Sequence, residues 1–220
     1  MYSTDKKIEY LSRFLTPARQ EKLECILSNR TDALAVVLED VYYAQNISAV
    51  IRTAECFGVQ NVHIVENLHR YEVNPRIVRG AAKWIDVHQY RGSDPSRQCI
   101  NQLKAQGYRI YATTPDHASI GIEKVNLDHK CAFIFGTELT GVSQSAVALA
   151  DESIHIPMSG FTESFNISVT VALILQYAKK ALIQSGVNMR LSEDRMQEVK
   201  FDWYKQAIRH STQLLERFEG

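Results

Sequence analysis

Apolar and polar positions along the chain follow two alternating patterns. Residues 33–41 form a continuous apolar run that ends in acid, typical of a buried parallel strand, and further strands are predicted over residues 61–65, 84–88, 108–113, 131–135 and 153–156. Helical spacing of apolar residues appears between them, over residues 46–57, 96–106 and 143–149. Strands that alternate with helices predict an α/β domain with a mostly parallel sheet flanked by helices.

Helical patterns flank this domain. Residues 4–29 predict a helix that breaks near Thr16-Pro17, where threonine suits an N-cap and proline the first helical position. Residues 165–184 are apolar nearly all round, which predicts a helix buried on every side and suggests a subunit interface. Residues 192–218 predict one amphipathic helix. We therefore divide the chain into an N-terminal helical extension (1–32), an α/β domain (33–185) and a C-terminal helical tail (186–220).

The composition indicates a soluble, cytoplasmic protein. The chain has 220 residues, of which 45% are hydrophobic and 23% charged. No run reaches the roughly 18 apolar residues of a membrane span, and the polar N-terminus does not resemble a secretory signal. The four cysteines form no CxxC pair, and none of the seven histidines lies at zinc-ligand spacing from them. We therefore expect reduced thiols and no metal.

The charge pattern gives mixed indications about nucleic acid. The formal net charge is zero, whereas nucleic-acid-binding domains are more often basic. Basic residues nevertheless gather between residues 69 and 83, where Glu72 is the one acidic residue. Solvated surface charge explains any one of these basic residues equally well. The candidates that we select for RNA contact, here and near the termini, are Arg19, Arg30, Arg76, Arg79, Lys83 and Arg209.

The first of three chemically interesting segments is residues 46–54, after the first predicted strand. Arg52 lies opposite the apolar stripe of its predicted helix, so it faces solvent or a ligand. Asn46 precedes that stripe and could equally be a helix N-cap, and Arg52 could be an ordinary surface charge. Taken alone, this segment does not decide between a site and a local structural role.

The other two segments also follow apolar strands. In residues 135–141 two glycines surround Glu138, which allows close backbone approach to a ligand or forms a plain turn. Residues 156–160 precede Ser164 and Asn166, either of which could cap the next helix. Ligands of open α/β sheets bind at the carboxyl ends of strands, so the three segments could share one cleft. The sequence contains neither GxGxxG nor a Walker P-loop, which argues against nicotinamide and nucleoside-triphosphate enzymes.

Together, in this order and spacing, the three segments resemble the motifs of the SpoU family of RNA ribose 2′-O-methyltransferases, within the SPOUT superfamily. The resemblance covers residues 33–182. Residues 15–30, residues 80–84 and the C-terminal tail are similar to the TrmH-type branch, which acts on guanosine 18 of tRNA. The sequence departs from the common motifs at Phe165, which stands where leucine is usual, and Thr137 and Leu139 occupy variable motif positions.

This resemblance implies a sheet with a C-terminal deep trefoil knot, S-adenosylmethionine as the cofactor, and a homodimer through the helix at 165–184. By motif match, the cofactor-binding residues are Thr113, Gly136, Ile156, Met158 and Phe165. The catalytic residues are Arg52, Asn46, Glu138, Ser164 and Asn166. Many ribosomal RNA relatives carry a separate N-terminal RNA-binding domain, so the short segment before the first strand favours tRNA.

The resemblance assigns Arg52 to the 2′-hydroxyl. A guanidinium offers only hydrogen-bond donors and has a pKa above about 12, so it is a poor general base. We therefore interpret Arg52 as a clamp on the target phosphate that also stabilises the developing alkoxide, with phosphate or water as the open alternatives for proton acceptance. Two alternative functions remain: a ribosomal RNA ribose 2′-O-methyltransferase of the same family, and a non-catalytic RNA-binding relative.

Overall fold

The computed structural model describes residues 3–72, 74, 76, 80–116, 118–162 and 164–219. Contacts within the chain define two compact units, one formed by residues 32–189 and the other by residues 1–31 together with 190–220. The three-segment division made from the sequence stays a prediction. In the structure the two terminal segments pack with each other.

The described strands form one sheet, and the strand pairs whose register is known run parallel. Its seven described strands are β1 (Thr31–Glu39), β2 (Val59–Val65), β3 (Asp86–Tyr90), β4 (Arg109–Thr113), β5 (Ile120–Gly121), β6 (Cys131–Phe135) and β7 (Glu152–His155). They lie in the order β3-β2-β1-β6-β4-β7-β5. The pairs β2/β3, β1/β6, β4/β6, β4/β7 and β5/β7 are all parallel. The predicted α/β class is therefore confirmed, whereas the knot stays a prediction.

Helices cover both faces of this sheet. In chain order the described α-helices are α1 (Thr4–Ser12), α2 (Pro17–Leu27), α3 (Ala44–Cys56), α4 (Pro95–Ala105), α5 (Gln144–Leu149), α6 (Ile167–Gln184), α7 (Glu193–Ala207) and α8 (Ser211–Glu219). Alternate residues of β1 point to opposite faces, as the two-residue period requires. Leu34 and Val36 pack in one core with α3 and α6, and Ala35 and Val37 pack in another with α4 and α5.

Helix α6 differs from its prediction. Val171, Ile174 and Leu175 are buried, but Val169 is 42% exposed and Leu173 is 43% exposed. The prediction that this helix is buried on every side is therefore wrong for the single chain. The two exposed residues are four positions apart, so they lie on one face of the helix.

The terminal helices confirm one prediction and correct another. Thr16 caps α2, its side chain accepting a hydrogen bond from Arg19 N, and Pro17 is the first helical residue. The predicted single helix over 192–218 is wrong, because α7 ends before Ile208, which has extended φ/ψ, and His210 has a φ of 60°. A left-handed residue without a following glycine or proline leaves little signal in the sequence.

In the described part of the chain, no helix combines the length and apolar character needed to cross a bilayer. Cys99 and Cys131 are buried, Cys25 and Cys56 are exposed, and all four are free thiols. Across the described ranges, the acidic, histidine and cysteine side chains form no group of three or more that could hold a metal ion.

Candidate active site

The first candidate segment forms the opening turn of α3. Tyr43 is the N-cap residue, with extended φ and ψ of −83° and 116°, and Asn46 lies inside the first turn. The alternative that Asn46 caps this helix is therefore wrong, and its amide is available for tertiary contacts. Asn46 Nδ2 donates to Glu138 Oε1, and Asn46 Oδ1 accepts from Asn166 Nδ2 at 3.3 Å. All three candidate segments meet at this amide.

The loop after β6 is a tight turn closed by two main-chain hydrogen bonds. Thr137 N donates to Gly141 O at 3.1 Å, and Gly141 N donates to Thr137 O at 3.0 Å. Gly141 has a φ of 68°, and a Cβ on Gly136 would lie 2.0 Å from the carbonyl carbon of Gly141. The backbone therefore requires glycine at both ends of the loop. The same turn brings Glu138 into contact with Asn46, so the turn belongs to the candidate site.

The third segment combines a cap with a site contact. Asn166 is the N-cap of α6, because its Oδ1 accepts from Ser168 N at 2.9 Å and from Ser168 Oγ at 2.7 Å. The capping alternative is thus confirmed for Asn166. Its Nδ2 is left to donate to Asn46, so capping holds the amide in the orientation that the site uses. Ser164 lies two residues earlier and lines the neighbouring pocket.

A pocket of about 320 Å³ opens at the carboxyl ends of β4, β6 and β7. Its lining contains all five residues expected to bind the cofactor, together with Glu138 and Ser164: Thr113, Gly136, Ile156, Met158 and Phe165. The lining includes apolar side chains from β6, β7 and α6. Small-molecule pockets commonly have this size range and mostly apolar lining.

The charge of the lining restricts what the pocket can hold. Among its described lining residues there is no lysine or arginine, and Glu138 is the one carboxylate. A nucleotide phosphate would meet no lysine or arginine among these residues, whereas a sulfonium would meet a carboxylate and apolar walls. The Gly136 turn also leaves backbone, without a side chain, against the pocket. These residues fit S-adenosylmethionine better than a phosphorylated cofactor.

Arg52 lies apart from these hydrogen bonds. It is exposed on α3, as predicted, and is not part of the pocket lining. No hydrogen bond or ion pair joins it to any residue that the structure describes. Within one chain, hydrogen bonds therefore join Asn46 to Glu138 and to Asn166. Ser164 and Glu138 both line the pocket. The guanidinium of Arg52 is left available for another molecule.

The predicted RNA-contacting residues have different environments. Arg30 is a correction, because it is 2% exposed and its guanidinium lies 5.7 Å from the centroid of the Trp203 ring. A buried cation of this kind supports packing and is inaccessible to phosphate. Arg76, Lys83 and Arg209 are exposed, and Arg19 is half-buried. Arg79 lies outside the described residues.

A hydrogen bond joins the basic segment between β2 and β3 to α3, the helix that carries Arg52. Asn74 N donates to Ser48 Oγ at 2.6 Å, and Ser48 Oγ donates to Ala44 O at 2.6 Å. Ser48 lies four residues before Arg52, hence on the same face of α3. Ala81, two residues before Lys83, packs in the core shared with α3. Arg76 and Lys83, each two residues from one of these contacts, therefore lie beside α3.

Glu39 supports the candidate site, although no sequence pattern identifies it. Glu39 is the last residue of β1, and although it is acidic it is only 2% exposed. Its carboxylate accepts hydrogen bonds from Ser96 Oγ, from Ser143 N at 2.8 Å and from Ser143 Oγ at 2.8 Å. Ser143 follows the 136–141 loop directly and caps α5. Glu39 therefore anchors the end of the loop that carries Glu138.

Replacing Glu39 by alanine should lower the free energy of unfolding by about 1.5–3 kcal/mol, because hydrogen bonds to a buried charged group are lost and Ser143 N loses its acceptor. Urea unfolding measures the change. Glu24→Ala is the matched control, since Glu24 pairs with Lys200 at the surface and should contribute no more than about 1 kcal/mol. Equal losses in the two variants would contradict the anchoring role.

Comparison with known proteins agrees with this geometry. Residues 33–176 match the model of the SpoU rRNA Methylase family. A tRNA (guanosine(18)-2'-O)-methyltransferase of Borreliella burgdorferi is 37% identical over 205 residues, 93% of each chain. A Thermus thermophilus protein of the same name is 33% identical over 192 residues, 86% of this chain and 97% of that one. The crystal structure of the A. aeolicus TrmH/SpoU tRNA modifying enzyme superposes with a TM-score of 0.78 at 28% identity, over 87% of this chain and 98% of that one.

Proposed function

This chain belongs to the SpoU methylase family, and we propose that it transfers the methyl group of S-adenosylmethionine to the ribose 2′-hydroxyl of guanosine 18 in tRNA. Relatives named tRNA (guanosine(18)-2'-O)-methyltransferase match most of the chain. The observation that carries the proposal is the hydrogen-bonded junction of Asn46, Glu138 and Asn166 beside an apolar pocket that lacks lysine and arginine. A tRNA substrate and free thiols are both consistent with a cytoplasmic protein.

The proposed reaction is an in-line displacement. When bound, S-adenosylmethionine would supply an electrophilic methyl group and leave as the neutral thioether, the ribose 2′-oxygen would accept that methyl group, and the hydroxyl proton would pass to phosphate or water. Glu138, Asn46 and Asn166 fix the wall of the pocket against which the ribose is held. Such alignment can lower a barrier by roughly 7–11 kcal/mol in favourable cases. Arg52 holds the phosphate next to the ribose and stabilises negative charge on the 2′-oxygen.

RNA binding would use the cations beside α3. Arg52, Arg76 and Lys83 are exposed. The segment that carries Arg76 and Lys83 is hydrogen-bonded to α3 through Ser48. A local patch is sufficient for phosphate contacts, so zero net charge is no obstacle. The expected signature is an affinity for tRNA that falls steeply as salt rises, because each neutralised phosphate releases a counterion.

The proposed dimer would bury the exposed face of α6. Val169 and Leu173 are exposed and lie four residues apart, on one face of α6. Isolated exposed apolar residues are ordinary, but a row along one helix is typical of a protein interface. A second copy of the chain, packed on this row, is the partner that we propose.

The dimer prediction concerns Leu173→Arg. Placing a charge in the proposed interface should convert a species of about twice 25.0 kDa into one of 25.0 kDa, measured by light scattering after size exclusion. Ile120→Arg is the control, because Ile120 is also 41% exposed but lies on β5. A wild-type chain that is already monomeric, or a Leu173→Arg chain that stays dimeric, would contradict this interface.

The function is tested by methyl transfer from tritiated S-adenosylmethionine to unmodified tRNA transcripts and, separately, to ribosomal RNA. We expect 2′-O-methylguanosine in tRNA, and no label in a transcript that carries 2′-deoxyguanosine at the target position, because the acceptor oxygen is gone. Label in ribosomal RNA alone would overturn the substrate and leave the chemistry. No label in either RNA would favour a non-catalytic RNA-binding protein.

A further inference from the structure

Three aromatic rings lie together at the surface before α3. Tyr42 and Tyr43 have ring centroids 5.0 Å apart at an interplanar angle of 78°, and Tyr42 and His69 have centroids 4.8 Å apart at 74°. Despite these contacts Tyr42 is 61% exposed and Tyr43 is 48% exposed. We call these three side chains the aromatic surface. Edge-to-face contacts hold the rings in place without burying them.

The backbone beneath the aromatic surface is fixed. Asp40 has a φ of 57°, and its Oδ1 accepts from Leu68 N and His69 N, both at 2.7 Å. Asn46 N donates to Tyr43 O at 2.9 Å, which ties Tyr43 to the first turn of α3. The backbone that carries the rings is therefore held by hydrogen bonds before any partner arrives, which lowers the entropic cost of binding.

The position of the aromatic surface argues for one kind of occupant. Tyr43 is three residues before Asn46, about 4.5 Å along the helix axis, so the aromatic surface adjoins the candidate active site. Arg70 follows His69 directly and is exposed, and Arg76 lies in the same segment. Exposed π faces next to cations match an unstacked nucleobase, which offers a flat face and a neighbouring phosphate.

We propose that the aromatic surface stacks an unpaired base of the RNA substrate, next to the nucleotide whose ribose is methylated. The inference rests on the proposed function, because it assumes an RNA at the neighbouring site. A ribose within regular stacked structure is poorly accessible to a pocket, and a stacking partner on the protein replaces the base stacking that the RNA loses. Any base can stack in this way, so the aromatic surface sets the position of the strand and is tolerant of sequence.

The test compares the double variant Tyr42→Leu/Tyr43→Leu with Tyr42→Phe/Tyr43→Phe in methyl transfer to tRNA transcripts. Stacking of one base on a protein ring corresponds to roughly 5- to 150-fold in affinity. The leucine variant should therefore raise the KM for RNA by about that factor while the Kd of S-adenosylmethionine stays within twofold. The phenylalanine variant should retain wild-type KM, since it keeps both rings. Leu68→Ala is the control for a neighbouring apolar side chain without a ring, and should behave as wild type.

A second measurement separates this proposal from the proposed function. A tRNA transcript carrying 2-aminopurine beside the target nucleotide should lose fluorescence when it binds the wild-type chain and should retain it with the leucine variant. This readout needs no methyl transfer, so failure of the methylation assay alone would count against the function and not against stacking. Absence of quenching by wild type, or an unchanged KM in the leucine variant, would overturn the proposal. A leucine variant with altered oligomeric mass would overturn it as well, in favour of a contact between protein chains.

Discussion

Replacement of Arg52 by alanine should lower kcat for RNA methylation by roughly 10²- to 10³-fold, the loss seen when one donor to a developing oxyanion is removed. The side chain is exposed, outside the pocket lining and without a hydrogen-bond or ion-pair partner among the described residues. Its removal should therefore leave the melting temperature and the Kd of S-adenosylmethionine unchanged. Single-turnover methylation with saturating RNA measures the effect.

Arg52→Lys separates the clamp from simple charge. Lysine keeps the positive charge but loses the planar fork that binds two oxygens at once. We expect the lysine variant to remain at least 10-fold below wild type in kcat. Near-normal turnover in this variant would contradict a bidentate clamp. The matched surface control Arg13→Ala should have no effect, because Arg13 is exposed and pairs with Glu9 at the surface.

Elements whose signal is local could be predicted from the sequence. The strand over 131–135 was placed at its observed limits because both of its faces are buried, which gives an unbroken apolar run. The two-residue strand β5 is too short to leave a pattern. The break between α7 and α8 rests on a left-handed histidine, His210, that no glycine or proline marks.

The candidate site depends on contacts that no local pattern contains. Asn46 and Asn166 are 120 residues apart in the chain and meet because β1, β6, β4 and β7 are adjacent parallel strands. The resemblance of the three motifs to a known family supplied this link, whereas helical periodicity left each asparagine equally suited to a cap. The burial of Glu39 and Arg30 could not be predicted from the sequence for the same reason. Their burial depends on Ser143 and Trp203, distant residues that sequence spacing does not connect to them.

Gly136→Ala should weaken S-adenosylmethionine binding more than any other single-methyl change in the pocket. The added Cβ would lie 2.0 Å from the carbonyl carbon and oxygen of Gly141 and 2.2 Å from Val142 N. Main-chain atoms cannot rotate away as a side chain can, so the 136–141 loop must shift. Overpacking of this kind costs about 1–3 kcal/mol, which corresponds to roughly 5- to 150-fold in Kd. Isothermal titration with S-adenosylmethionine measures the change.

Gly141 and Gly160 provide comparison variants for Gly136→Ala. A Cβ on Gly160 would meet only Thr162 N at 4.0 Å, so Gly160→Ala should bind the cofactor as wild type does. Gly141→Ala creates no clash but places alanine at a φ of 68°, which should cost about 1 kcal/mol and give a smaller loss. The order Gly136, Gly141, Gly160 in severity follows from the geometry of the turn. Normal cofactor binding by Gly136→Ala would contradict this argument. It would mean that the 136–141 turn can open without loss of binding, and that the turn does not hold Glu138 in position against Asn46.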